Sequence, residues 1–267
     1  MEDSLALRLA ELRKELIFSF DTKEYDFISV LRKIFGLDQV GDEGGESEAS
    51  ASERLSRIHT LVEGSTAANY VSFENDQATW FHRRYYQSPH LPELLDVYER
   101  FIREVIVPRF FAGETRVIYQ KKPTFRVHLP NNVAVGQKHR DGDYFHPPGE
   151  INFWLPFTAV HDSNGFYVET QPDKGDFHGL TMGYGQVFRF WGNRCWHYNL
   201  PNTTGRTRLS FDFRLIAGSC YSEPTDIAAC SVKTGLKFRI GSYFDVVEQS
   251  TQGSLQNGRE EATEEES

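Results

Sequence analysis

From Thr115 onward the apolar period of this chain changes from that of a helix to that of a strand, and this switch limits the fold more than any other feature. Before it, Leu5, Leu9, Leu12 and Leu16 recur at helical spacing through Ile17, with Asp3 or Ser4 available as N-cap. A second helical stretch covers 25–35. With Pro92 at a first helical position, Leu95, Tyr98, Phe101, Ile102 and Val105 trace an amphipathic helix expected to end before Pro108. After the switch, short runs dominate: 116–119, 125–129, 133–139, 150–157, 165–169, 185–191 and 207–216. Turn signals separate them, such as Pro147-Pro148-Gly149, Asp162-Ser163-Asn164-Gly165 and Asn202-Thr203-Thr204-Gly205. Many short strands behind a helical leader predict a mostly β (α+β) fold, a barrel or sandwich buttressed by helices.

With 267 residues, 39% of them hydrophobic, the chain can bury one sizeable core. The segment 41–52 has no large apolar residue and is expected to be a mobile acidic loop, and the same composition predicts a disordered acidic tail over 249–267. The expected organisation is a single domain over 1–248, with a helical leader 1–110 and a β core 115–216. The net charge of −9 sits mostly in two places. Residues 38–54 carry six acids against Arg54, and 259–267 carry five against Arg259; removing these from the 38 acids and 29 bases leaves 27 of each. A balanced body names no polyelectrolyte, so no nucleic-acid partner is expected. No apolar run reaches the length of a membrane span, the amino end lacks a basic start, and Cys195, Cys220 and Cys230 form no CxxC pair. A cytoplasmic protein with no membrane partner is the expectation.

Of nine histidines, one lies in an H-x-D arrangement, His139-Arg140-Asp141. On a strand these two side chains would share a face. His197 follows 58 residues later, just past the run 185–191. Two imidazoles and a carboxylate on one face of an octahedral metal form the triad of non-haem Fe(II) oxygenases, with positions left for a bidentate 2-oxo acid and O2. His146 could complete a different metal site, although a loop histidine before Pro147-Pro148 suits the rim. In 207–216, Leu209, Phe211, Phe213 and Leu215 alternate with Arg208, Ser210, Asp212 and Arg214. That polar face is either solvated or turned inward, where Arg208 could fork onto the distal carboxylate of a dicarboxylate and Ser210 add a hydroxyl. Arg126, His128, Asn152 and Trp154 lie beside this site as candidate substrate contacts, with packing as the alternative role.

The segments 124–130, 139–141 and 150–157, with His197 and 207–214, resemble the Fe(II)/2-oxoglutarate-dependent oxygenases of the phytanoyl-CoA dioxygenase type, and more narrowly the StrG-like proteins. The resemblance covers about 115–216. It implies a double-stranded β-helix, the jelly-roll or cupin-like barrel, flanked by amino-terminal helices. It also implies Fe(II) on His139, Asp141 and His197, and 2-oxoglutarate anchored by Arg208 and Ser210. The implied activity is hydroxylation of a C–H bond in a small polar metabolite, consuming O2 and releasing succinate and CO2. Halogenating members have a small residue in place of the carboxylate, so Asp141 matches the hydroxylating pattern. Cys195-Trp196 departs from the smaller or more polar residues expected before His197. Desaturation or oxidative cyclisation would use the same ligands, and a non-catalytic metal-binding jelly roll would have no use for an internal dicarboxylate anchor at Arg208.

Overall fold

A computed structural model describes residues 2–37, 48–61, 78–134, 137–223, 229–231 and 234–249. The helices are α1 (Glu2–Leu12), α2 (Phe27–Phe35), α3 (Glu48–Leu55), α4 (Ile58–Leu61), α5 (Trp80–Tyr86), α6 (Leu91–Phe101) and α7 (Val107–Phe110). The strands are β1 (Leu16–Ser19), β2 (Arg116–Gln120), β3 (Thr124–His128), β4 (Ile151–Pro156), β5 (Phe166–Val168), β6 (His178–Gly179), β7 (Gln186–Phe190), β8 (His197–Asn199), β9 (Arg208–Ala217) and β10 (Phe244–Glu248). A seven-stranded sheet runs β1-β7-β4-β9-β2-β10, with β3 also on β9, and a three-stranded sheet runs β6-β5-β8. Every strand pairing within the two sheets is antiparallel. Among the described residues, no helix is long and apolar enough to cross a membrane.

Strand alternation assigns the two faces of the large sheet. Phe153 and Leu155 of β4, Val187 of β7, Val127 of β3 and the five odd-numbered residues of β9, Leu209 to Ala217, join the core with the helices. Phe27 of α2 sets its ring 5.3 Å from Phe211, and Tyr98 of α6 lies 5.4 Å from Phe213. On the opposite face, Trp154, Phe188 and Phe190 pack with Phe166 and Val168 of the small sheet. The molecule is thus layered as helices, large sheet and small sheet, with polar residues of β3, β4 and β9 turned between the two sheets. All ten residues of β9 are buried, so the solvated alternative for its polar face does not hold.

Four elements differ from the sequence reading. Leu16 and Ile17 leave the first helix and pair with β7, because the sheet edge offers hydrogen bonds there and Arg189 of β7 takes the free carbonyls of Glu11 and Lys14. The third helix does not end before Pro108. A π-helical turn over Ile102–Ile106 absorbs the missing proline N–H, and α7 continues to Phe110. Residues 48–52 of the expected acidic loop are helical in α3, where Ala51 and Leu55 are buried and Ser52 Oγ donates to the Phe157 carbonyl at 2.8 Å. A small residue and a hydroxyl dock that helix, a signal that counting large apolar side chains misses. The run 133–139 is no strand among its described residues; Ala134 has φ +45° and only His139 bridges, to His197. The rest of the loop, 41–47, and the tail past Gln249 lie outside the described residues. Strands β6, β8 and β10 were not expected.

By contrast, α2 follows its local signals closely. Asp26 accepts from Ser29 N at 3.0 Å as N-cap, and Gly36 at φ +71° closes the helix while Leu37 N–H reaches the Arg32 carbonyl at 2.8 Å.

Candidate metal centre and cosubstrate cleft

The segments carrying the H-x-D residues and His197 are joined directly by backbone bonds. His139 and His197 exchange N–H···O bonds of 3.1 and 3.0 Å, Asp141 N–H donates to Gly192 O at 2.9 Å, and Gly142 N–H donates to Asn193 O at 3.1 Å. A Cβ on Gly142 would come within 2.7 Å of Asn193 O, so this approach requires glycine. Asp141 opens a short 3-10 turn, Asp141–Tyr144, and is not on a strand. The expected shared face is therefore reached by a turn against residues 192–197, and strand parity is not its cause.

The resulting geometry leaves three ligand atoms free and converging. His139 Nδ1 lies 2.7 Å from Gln137 O and His197 Nδ1 lies 3.0 Å from Cys195 O. A carbonyl only accepts, so each Nδ1 carries the proton and each Nε2 keeps its lone pair. Those two Nε2 atoms lie 3.9 and 3.7 Å from Asp141 Oδ1. Asp141 is buried; burial alone would raise its carboxyl, but the Arg214 guanidinium and the nearby imidazoles hold it well below the usual carboxylate range. Burial and the neighbouring His139 push His197 down to about 4, so it stays neutral near pH 7. Two imidazole nitrogens and one carboxylate oxygen make a donor set that fits Fe(II).

Asp141, His146 and Glu150 also bring ligand atoms together. Arg214 lies among them, 2.8 Å from Asp141 Oδ2 and 3.6 Å from Glu150 Oε2, and His146 Nδ1 is spent on Glu150 at 2.8 Å. Arg214 is already paired with Asp141 beside Glu150, so this second cluster is an ion-pair network and His146 sits within it, against Phe238.

A cleft of about 500 Å³, counted out to its open mouth, runs from His139 and His197 along the polar face of β9. Trp154, Phe166 and Phe190 wall it, and Arg126, Arg208, Asp212 and Arg214 line its polar side. Asp212 is shared between Arg126 (2.6 Å) and Arg214 (2.8 Å). Among the described residues, Arg208 has no carboxylate partner within ion-pair distance. Its Nη1 donates to Asn164 O (2.8 Å) and Asn199 Oδ1 (2.9 Å), while Nε is buried with no partner among the described residues. Burial, with Arg126 nearby, pulls the Arg208 pKa down to about 9. Ser210 Oγ is likewise buried and unpartnered. An unpaired guanidinium and an orphaned hydroxyl two residues apart on one strand face fit a bound carboxylate.

The chain is 39% identical over 188 residues to the streptomycin biosynthesis protein StrG of Streptomyces griseus, a match covering 70% of this chain and 86% of that protein. It belongs to the StrG family. No protein-family model matches it. Among solved structures it is similar to the non-haem α-ketoglutarate-dependent epimerase SnoN from nogalamycin biosynthesis, with a TM-score of 0.47 and 15% identity over 92% of this chain and 99% of that one. It is also similar to the non-haem monooxygenase ThoJ in its nickel complex, with a TM-score of 0.43 and 13% identity over 96% of this chain and 89% of that one.

In this StrG-family chain the four candidate substrate contacts divide. Arg126 and Trp154 line the cleft. Asn152 lines it too, but its amide is used at both ends, donating to Asp141 Oδ2 at 2.7 Å and accepting from Gly192 N–H at 3.1 Å. His128 is fully buried outside the lining, with Nε2 2.9 Å from Asn132 O. Sequence reasoning placed Arg214 only on the polar face of the run 207–216 and missed Glu169 altogether. The buried Glu169 carboxylate accepts from the N–H groups of Trp196 (2.8 Å), Asp173 (2.9 Å) and Gly175 (3.0 Å), which fixes the turn leading into His197. Nothing local marks Glu169, because its partners are backbone groups from two separate loops. The unexpected Cys195-Trp196 pair has a structural role: Cys195 is buried between the sheets, and Trp196 carries the Arg140 guanidinium 4.4 Å above its ring.

Proposed function

We propose that this chain is an Fe(II)- and 2-oxoglutarate-dependent oxygenase that hydroxylates a C–H bond of a small polar metabolite. The single observation that carries the reading is the pairing of two features on one cleft. Three converging ligand atoms are kept free at one end, and Arg208 with Ser210 offers unpartnered buried donors along the wall. In this reading the large and small sheets are the two faces of a double-stranded β-helix. His139, Asp141 and His197 would hold Fe(II), and Arg208 with Ser210 would hold the distal carboxylate of 2-oxoglutarate. When bound, Fe(II) with 2-oxoglutarate supplies the oxidising chemistry, in which O2 is consumed, the 2-oxo acid gives succinate and CO2, and a substrate C–H bond is oxidised.

The chain's own residues supply the rest. The Gln137 and Cys195 carbonyls keep both imidazoles in the tautomer that presents Nε2. Asn164 and Asn199 orient the Arg208 fork, so an entering carboxylate meets a pre-set guanidinium. Trp154, Phe166 and Phe190 wall the cleft with apolar surface, which excludes water and leaves the floor to orient polar groups.

The test is anaerobic addition of 2-oxoglutarate to Fe(II)-loaded protein, followed by aeration with a library of small polar metabolites. A visible charge-transfer absorption, then succinate and a mass gain of one oxygen in one metabolite, is the expected result. Iron binding with neither absorption nor succinate would overturn the reading.

A further inference from the structure

The two oxygens of Asp141 have unlike surroundings. Oδ2 lies 2.7 Å from Asn152 Nδ2, 2.9 Å from Arg214 Nε and 2.8 Å from Arg214 Nη2. Oδ1 makes no hydrogen bond among the described residues and faces the two imidazoles. Asn152 and Arg214 are cross-strand partners on β4 and β9, so their side chains leave adjacent strands on the same face. Both donors are braced from behind. The Asn152 carbonyl oxygen is held by Gly192 N–H at 3.1 Å, and Arg214 Nη1 reaches Asp212 Oδ2 at 2.8 Å and Gln120 Oε1 at 3.2 Å. Gly192 is required at its position, since a Cβ there would lie 2.8 Å from the Asn152 amide.

We propose that Asn152 and Arg214 are positioning residues that make Asp141 a one-oxygen ligand. The inference rests on the iron reading above and adds a role for two residues whose polar atoms are spent on Asp141 and its neighbours. A carboxylate free to rotate can chelate through both oxygens and occupy one more coordination position. Here chelation would require Oδ2 to leave a guanidinium and an amide, so the position stays open. A purely structural alternative is that Arg214 only neutralises a buried negative charge. The two differ in what lysine can replace: lysine keeps the charge and lacks the planar fork.

Metal-free protein is titrated anaerobically with Co(II) and with Fe(II), reading affinity by chelator competition and ligand number by the Co(II) d–d spectrum, with thermal melting of the metal-free forms alongside. Asn152→Ala should weaken metal binding by about 10- to 100-fold and shift the Co(II) spectrum toward higher coordination. Arg214→Lys should show the same defect even where its melting matches wild type. Wild-type affinity and spectrum in Asn152→Ala, or full rescue of both by Arg214→Lys, would overturn the inference. Should either variant fail to fold, Gly192→Ala, which pushes the Asn152 amide aside, must reproduce the defect, and wild-type metal binding in it would overturn the inference. A wild type that binds no metal, or a His139→Ala variant that binds as well as wild type, sinks the iron reading instead.

Discussion

The two faces of β9 are built from one alternating run and are buried equally, yet they do opposite work. Of its odd-numbered residues, Phe211 and Phe213 meet aromatic rings of the helices, and Leu209 and Leu215 lie in the same apolar core. Its even-numbered residues, Arg208 to Arg214, face the small sheet and carry charges that are only partly matched. Arg214 is fully engaged by Asp141 and Asp212, whereas Arg208 and Ser210 keep buried atoms with no partner. Burial stabilises the first face by removing apolar surface from water, and on the second it costs free energy unless something completes the pairing. On the proposed reading, the unmatched positions are where the cosubstrate carboxylate would bind, and the matched ones would hold the site in shape.

The comparison breaks first on the helix side. Phe213→Ala should cost about 3–5 kcal/mol of stability, since the ring stacks at 5.3 Å on Phe153 and the cavity cannot refill. Denaturant unfolding measures the loss. Fe(II) and 2-oxoglutarate affinities of the folded fraction should stay near wild type, and a parallel fall in both would mean that the faces are not independent.

Arg208→Met should do the reverse. Removing a buried, carboxylate-free guanidinium relieves desolvation but leaves the Asn164 and Asn199 acceptors unmatched, so stability should change by no more than about 1 kcal/mol. The affinity for 2-oxoglutarate should drop by about 2–5 kcal/mol, as measured by anaerobic titration. Unchanged affinity would move the anchor to Arg126 or Arg214, the other guanidinium groups that line this wall.

Acid should act on the buried polar face of β3 and β9 before the apolar core. Burial, and then Arg208, push the His128 pKa down to about 3 from 6.5. Below pH 6.5 the unfolded chain binds the proton that the folded chain refuses, so this contribution is present above 6.5 and is lost as pH falls toward 3. The expected slope is about 1.4 kcal/mol per pH unit from this one group. Unfolding of metal-free protein across pH 4–6.5 should show a shallower slope in His128→Gln than in wild type, and equal slopes would exclude His128 as the source.

The smallest effect is expected at Ser210→Ala. Its hydroxyl has no partner, so the ligand-free protein should be as stable or slightly more stable, and 2-oxoglutarate affinity should fall by about 1 kcal/mol. A clear loss of stability without ligand would show that the hydroxyl already has a structural partner.

The sequence alone picked out residues that the fold brings to the candidate site where the information is local. Alternation in 207–216 separated Arg208 and Ser210 from the apolar face, since side-chain direction in a strand depends only on position. The spacing of His139 and Asp141, with His197 beyond a strand, named the triad by donor chemistry. The capping signals of α2 set its ends because a cap satisfies groups only a few residues away. Local periodicity failed where a distant element competed. Leu16 and Ile17 fit a helix until the edge of β7 offers them pairing, and residues 48–52 look like a loop until Phe157 accepts the Ser52 hydroxyl.

Tertiary structure decided which atoms of those residues remain free. Asn152 reads as a substrate contact by strand position, but only the approach of Gly192 and Asp141 commits both ends of its amide. Arg214 shares parity with Arg208, and only the meeting of β4, β9 and the Asp141 turn makes one a clamp and leaves the other open. The physical reason is that residue type sets how many hydrogen bonds a side chain can make. Which of them are already made depends on neighbours tens of residues away.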